Sequence, residues 1–145
     1  MFKFKFQKAL EYKLQIEDEA KHLLLKKKEE EQAEQEKLEN IIEIEKKFMV
    51  EYKNIKTGKL NINKMVEYQS YLEKIEKEKE LQEEAVKQAA IEVEEAEKDY
   101  FEARKDRKIF DKLKEKAESD YNIEEQKREQ NLMDEISNNI FNRRR

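Results

Sequence analysis

Apolar side chains recur along most of this chain at alternating steps of four and three residues. Such a seven-residue repeat lies on one face of an α-helix and is typical of helices that pack as a left-handed coiled coil. In the first half of the chain the repeat passes through Phe6, Leu10, Lys13, Glu17, Ala20, Leu24, Lys27, Glu31, Glu34, Leu38, Ile41, Glu45, Phe48, Tyr52 and Ile55. In the second half it passes through Met65, Tyr68, Leu72, Ile75, Lys79, Gln82, Val86, Ala89, Val93, Ala96, Tyr100, Ala103, Arg107, Phe110, Lys114, Ala117, Tyr121 and Glu124. We call these two rows the seam.

The repeat has one strong break, between Thr57 and Asn63. Gly58 can adopt the left-handed conformation that ends many helices, and Asn61 or Asn63 can cap the helix that follows. A connection of this length usually joins antiparallel neighbours. The pattern therefore predicts an all-α fold: two long helices in an antiparallel coiled-coil hairpin, with the second helix overhanging at the C-terminus. The predicted boundaries, within a single domain 1–145, are a helix at about 4–56, a turn at about 57–61 and a helix at about 62–141.

The second helix is predicted to outrun the first. A hairpin centred near Gly58 places Phe6 close to Lys112, so residues after about 118 have no partner on the first helix. This overhang carries a row of apolar residues, namely Tyr121, Ile123, Leu132, Met133, Ile136, Ile140 and Phe141. Apolar residues left exposed on a helix usually mark a binding surface, and fraying disorder of the segment is the alternative.

Composition limits the chemistry that this chain can support. Charged residues make up 47% of it and apolar residues 37%, and it has no cysteine, no proline and one glycine. Disulfides, thiolate metal sites and Gly-rich phosphate loops are therefore excluded. Paired carboxylates are too frequent to mark a catalytic dyad, and two packed helices offer no desolvating pocket for one. We expect His22 to be a solvated side chain, and we expect no enzyme, no metal site and no cofactor.

We expect neither a membrane-spanning segment nor a targeting segment in this chain. Its longest obvious apolar run, Leu23–Leu25, is far shorter than the roughly 20 residues of a membrane span. Met1–Leu10 alternates phenylalanine with lysine and has no apolar stretch of signal-peptide length. We expect a cytoplasmic protein without direct membrane insertion.

Basic residues cluster at 104–116. Nucleic-acid binding would need a continuous positive surface, but Asp106, Asp111 and Glu115 interrupt the cluster and the net charge is −4. A basic helix surface that faces an acidic protein ring is the favoured interpretation, with no nucleic acid as partner. Two other classes stay open on these observations: a generic structural coiled coil that self-associates through its overhang, and a nucleic-acid-associated helical protein.

Several segments, taken in order, resemble the flagellar export protein FliJ family. Residues 2–10 (FKFKFQKAL) are similar to the aromatic and aliphatic opening of that family, and residues 67–75 (EYQSYLEKI) to its stretch after the turn. Residues 103–108 (ARKDRK) and 112–116 (KLKEK) are the more specific part. Residues 128–136 (REQNLMDEI) resemble its C-terminal signature. The resemblance extends over the whole chain and includes the position of the turn.

The resemblance implies a role in the flagellar type III export apparatus. Members of the family are antiparallel two-helix coiled coils similar to the central γ stalk of rotary ATPases. They sit in the pore of the hexameric export ATPase (FliI), contact the export gate protein (FlhA) and handle export chaperones of filament-type substrates. The implied location is cytoplasmic, peripheral at the cytoplasmic face of the membrane through the export apparatus.

The resemblance also implies a surface for the export gate on both helices near the turn. Matching positions by distance from the turn gives Ile41, Ile44, Phe48, Tyr71, Ile75, Glu78 and Gln82. Ile41, Phe48 and Ile75 also lie on the seam, so a core role is an equal alternative for these three. Ile44 and Tyr71 lie off the seam and are the better candidates for contact.

The ATPase contact is expected at the far end, where the basic cluster meets the apolar overhang. Apolar side chains supply affinity there, and positive charge steers the approach. Phe2 and Phe4 are expected to cover the off-seam residues Phe101, Ile109 and Leu113. The predicted ATPase contacts are Arg104, Lys105, Arg107, Lys108, Tyr121, Leu132, Ile136 and Ile140.

Overall fold

The computed structural model describes residues 1–57 and 62–144 and contains two helices. Helix α1 is Gln7–Thr57, with 51 residues, and helix α2 is Ile62–Arg143, with 82 residues. No strand occurs within the described ranges. The predicted all-α hairpin is confirmed, while residues 58–61 of the predicted turn lie outside the described residues.

The start of α1 differs from the prediction. It begins at Gln7 and not near residue 4, and the amide of Gln7 donates a hydrogen bond to the carbonyl of Phe4 at 3.2 Å. The first residues make ring contacts instead of a helical turn, because Phe2 lies 5.6 Å from the Tyr121 ring and Phe4 lies 5.9 Å from the Phe6 ring. The C-terminal end of α2 also differs, since this helix continues to Arg143, two residues past the predicted end.

The chain divides into two compact units, each built from a piece of both helices. Unit 1 consists of Met1–Glu19 and Phe101–Arg145, and unit 2 of Ala20–Tyr100. The single domain expected from the sequence stays a prediction.

Buried apolar residues in both units lie on the predicted seam. In unit 2, Leu24 packs with Val93 and Ala96, and Tyr100 is partly buried against them. In unit 1, Leu10 and Ala103 are buried. The small alanine side chains allow two helices to approach closely, so the core is a narrow row of contacts between them.

Polar residues on the seam form cross-helix bonds. In unit 2 the Lys79 ammonium lies 3.4 Å from the Glu45 carboxylate, and Gln82 Nε2 donates to the backbone carbonyl of Glu34 at 2.9 Å. Lys27 lies 3.3 Å from Glu92. Because a buried polar group costs free energy unless it is paired, these bonds let a charged sequence keep its seam closed.

Candidate partner-binding surfaces

An aromatic patch lies on unit 2 among the predicted gate contacts. It consists of Phe48, Tyr68 and Tyr71. The Phe48 and Tyr71 rings stack at 4.5 Å, and the Phe48 and Tyr68 rings lie 5.9 Å apart. Together with Glu67 these rings line a surface groove.

The hydroxyl of Tyr68 donates a hydrogen bond to Glu51 at 3.2 Å, which joins the two helices beside the aromatic patch. Partial burial disfavours the phenolate and is the main reason that the pKa of Tyr68 is raised; the Glu51 carboxylate adds to the effect. Tyr68 therefore stays a neutral donor, and the patch presents ring faces without a charge of its own.

The predicted gate residues as a set do not form one continuous exposed surface. Ile44 and Tyr71 are 44% and 46% exposed, and Glu78 is exposed as well. Ile75 is only 4% exposed, which fits the core alternative for this seam residue, and its contact with the export gate stays a prediction. Ile41 and Gln82 are half-buried.

A second surface lies on α2 within unit 1. Phe101, Arg104, Lys105, Lys108, Ile109 and Lys112 line one groove, and we call this set the basic face. Its members are three or four residues apart and so share one side of the helix. Nearby acidic residues are bound elsewhere, Asp106 to Lys13 at 3.7 Å and Asp111 to Arg107 at 2.5 Å. The basic face thus presents four cations around two exposed apolar side chains.

The expected cover over this face is wrong. Phe2 and Phe4 pack on Tyr121 and Phe6, as described above. Phe101, Ile109 and Leu113 are all exposed. The cause is the non-helical start of the chain, since an extended residue advances about 3.3 Å and a helical one about 1.5 Å. Phe2 therefore reaches further along α2 than a helical Phe2 would.

Arg107 does not belong to the basic face. Its Nε and Nη2 donate to the two carboxylate oxygens of Glu17 at 2.6 and 3.1 Å, and its Nη1 donates to Asp111. The hydrogen bond from Arg107 lowers the pKa of Glu17, and the two carboxylates raise that of Arg107. These donors are used within unit 1, and the contact of Arg107 with the ATPase stays a prediction.

The C-terminal part of α2 carries exposed apolar residues. Leu132, Ile136 and Ile140 are 58%, 47% and 50% exposed, and with Met133 they form what we call the C-terminal stripe. Every described residue from 126 to 144 is exposed. The expectation that residues after about 118 lack a partner is wrong for Tyr121, which is half-buried against Phe2.

The described ranges show no candidate metal centre. No group of three or more metal-binding side chains occurs there, and His22 is exposed. No described helix has a stretch long and apolar enough to span a bilayer.

Comparison with known proteins identifies the family. The family model described as "Flagellar FliJ protein" matches residues 2–145. The chain belongs to the FliJ family. The resemblance seen in the sequence is thereby confirmed, and the protein is a flagellar export-related coiled-coil protein of a non-catalytic family. No curated protein and no solved structure matches the chain.

Proposed function

We propose that this FliJ-family protein is a coiled-coil stalk that binds the hexameric export ATPase (FliI) and links it to the export gate (FlhA). The observation that carries the proposal is the exposed C-terminal stripe on the same helix as the basic face. The protein performs no catalysis itself. It acts at the cytoplasmic face of the membrane through the export apparatus, without inserting into the bilayer.

The ATPase contact combines the two surfaces of unit 1. Leu132, Ile136 and Ile140 are large apolar side chains that water surrounds in the free chain, so their burial in a ring supplies affinity. Arg104, Lys105 and Lys108 are exposed cations with no ion pair among the described residues, so they steer the approach of an acidic partner. Tyr121 and Arg107 support this end of the hairpin from within.

The gate contact is assigned to the exposed members of the predicted set. Ile44 and Tyr71 offer apolar surface, and Phe48 supports Tyr71 by stacking. Ile41, Glu78 and Gln82 border this area, and Ile75 holds the helices together beneath it. We also propose that the protein handles filament-type export chaperones, and this proposal is supported only by its membership of the FliJ family.

Truncation after Tyr121 tests the ATPase contact. This cut removes the C-terminal stripe but keeps the ring that packs on Phe2. We expect the truncated chain to keep its melting temperature and to lose at least about tenfold in affinity for the ATPase ring, as expected for central apolar contacts.

A full-length variant separates lost contacts from lost length. L132S/I136S should weaken the ring contact in the same direction. L81S/I91S, which alters two exposed apolar residues of α2 in unit 2, is the matched control and should bind normally. Undiminished binding and ATPase stimulation by the truncated chain would remove the stripe as the docking element.

A further inference from the structure

We propose that in the free protein the C-terminal stripe is covered by a second copy of the same chain, packed antiparallel to the first. The inference goes beyond docking on the ATPase and does not depend on it. It starts from the exposed residues of 122–144 and from the order in which their charges follow one another.

The stripe lies on one face together with a charge at each of its ends. Leu132, Ile136 and Ile140 follow at steps of four, Glu125 lies seven residues before Leu132, and Arg143 lies three after Ile140. Steps of three, four and seven return to the same side of a helix. A partner that covers the apolar stripe therefore also meets an acidic residue at one end and a basic residue at the other.

The order of charges selects the direction of packing. The segment begins with Glu124 and Glu125 and reaches Arg143 and Arg144 at its end. Two parallel copies would place like charges together at both ends. Two antiparallel copies place Glu125 opposite Arg143 twice in each dimer, with Glu124 and Arg144 adding unlike charges at the same two ends. The helix dipoles also oppose each other in this arrangement, which is the more favourable orientation.

One register satisfies the charged and the apolar pairs together. When Glu125 faces Arg143, Leu132 of one copy faces Ile136 of the other. In the free chain Glu125 forms an ion pair with Arg128 at 3.7 Å. This pair is solvent-exposed and contributes little, so it does not compete strongly with Arg143.

The length of the overlap fits the hairpin. In this register Arg144 lies at the same level as Glu124, three residues beyond Tyr121, where Phe2 already covers α2. The antiparallel contact thus ends where the intramolecular packing of unit 1 begins, and neither has to open for the other. A stripe buried in such a dimer is closed to the ATPase ring until the copies separate.

Sedimentation velocity of the full chain without ATPase tests self-association. We expect a monomer–dimer equilibrium that L132S/I136S abolishes without loss of helicity. I123S is the matched control, because Ile123 is similarly exposed but lies on the opposite side of the helix from the stripe. A chain that sediments as a monomer at every protein concentration overturns the proposal.

Charge exchange tests the direction. E124R/E125R and R143E/R144E should each raise the dissociation constant by about tenfold, since each leaves like charges opposite each other at both ends. The combination of all four substitutions should restore the native value. Parallel copies predict no weakening by either double variant, and that result overturns the antiparallel arrangement.

Engineered cysteines test the register, because the native chain has none. A mixture of E125C and R143C chains should form a mixed disulfide, while E125C alone should not. A disulfide of E125C with itself contradicts the register. These measurements use the chain alone, so their failure leaves the ATPase contact to be tested by truncation after Tyr121.

Discussion

Arg107 on α2 donates two hydrogen bonds to the Glu17 carboxylate on α1, from Nε to Oε2 at 2.6 Å and from Nη2 to Oε1 at 3.1 Å. Both residues occupy seam positions where a coiled coil usually has apolar side chains, and both are half-buried. A two-point bond between planar groups fixes orientation as well as distance. Among its described residues, unit 1 has few buried apolar side chains, namely Leu10 and Ala103. The Arg107–Glu17 pair therefore specifies the register of α1 against α2 in this unit.

A double-mutant cycle on this pair should reveal a coupling of about 1–2 kcal/mol in the free energy of unfolding. This lies at the low end for hydrogen bonds between charged groups, because water still reaches both side chains. The variants are E17A, R107A and the combination, measured by urea denaturation. The matched control is Lys13–Asp106, which spans the same two helices at 3.7 Å with greater exposure. Its coupling should stay below about 0.5 kcal/mol. Equal couplings for the two pairs would contradict a special role for Arg107.

The same pair predicts a pH dependence. The hydrogen bond from Arg107 lowers the pKa of Glu17 from its ordinary value of 4.5. Between the lowered pKa and pH 4.5 the unfolded chain therefore binds more protons than the folded one. The resulting stabilisation is fully present above about pH 4.5 and is lost as the pH falls through the lowered value. The difference in unfolding free energy between the wild type and E17Q should therefore be constant near neutrality and shrink in acid. A difference that does not change between pH 7 and pH 3 would contradict this origin.

Sequence periodicity predicted the core well, for a physical reason. The buried apolar residues Leu10, Leu24, Val93, Ala96 and Ala103 all lie on the predicted seam, because a helix turns by a fixed angle per residue. The repeat also placed polar residues on the seam, but it did not predict which residues they would bond to. That choice depends on the reach of long side chains between two helices.

Non-helical segments limited the prediction of the candidate surfaces. Phe2 was expected near Phe101 and instead packs on Tyr121, since the register of a hairpin applies only to residues that are helical. Arg107 and Lys108 look alike in the sequence, yet one bonds to Glu17 and the other lines the exposed basic face. Their positions in the repeat distinguish them, because Arg107 lies on the seam and Lys108 lies beside it.

At the gate surface, I44K should weaken binding to the cytoplasmic part of FlhA by about tenfold while changing the unfolding free energy by less than about 0.5 kcal/mol. Ile44 is exposed and off the seam, so its replacement removes contact area without opening the core. Y71S should weaken binding similarly but also cost about 1 kcal/mol of stability, because Tyr71 stacks on Phe48. Titration calorimetry and thermal melts measure the two effects.

The control for this surface is V50K, which places the same charge on another exposed apolar residue of α1, beside Lys46, Lys47 and Glu51. Its affinity for the gate should equal that of the wild type. A loss of affinity as large as that of I44K would show that added charge on α1, and not the lost side chain, weakens the contact.

At the basic face, R104E/K105E/K108E should slow association with the ATPase about tenfold or more at low salt and leave dissociation nearly unchanged. These cations are exposed and therefore act mainly on the encounter, where screening by salt weakens them. The association rate of the variant should accordingly depend less on salt than that of the wild type, as measured by stopped-flow or surface plasmon resonance. K21E/K26E/K28E changes net charge by the same amount on exposed residues of unit 2 and is the matched control. If both triple variants slow association equally, net charge and not the basic face steers the encounter; if the basic-face variant chiefly dissociates faster, these cations are buried in the complex and hold it together.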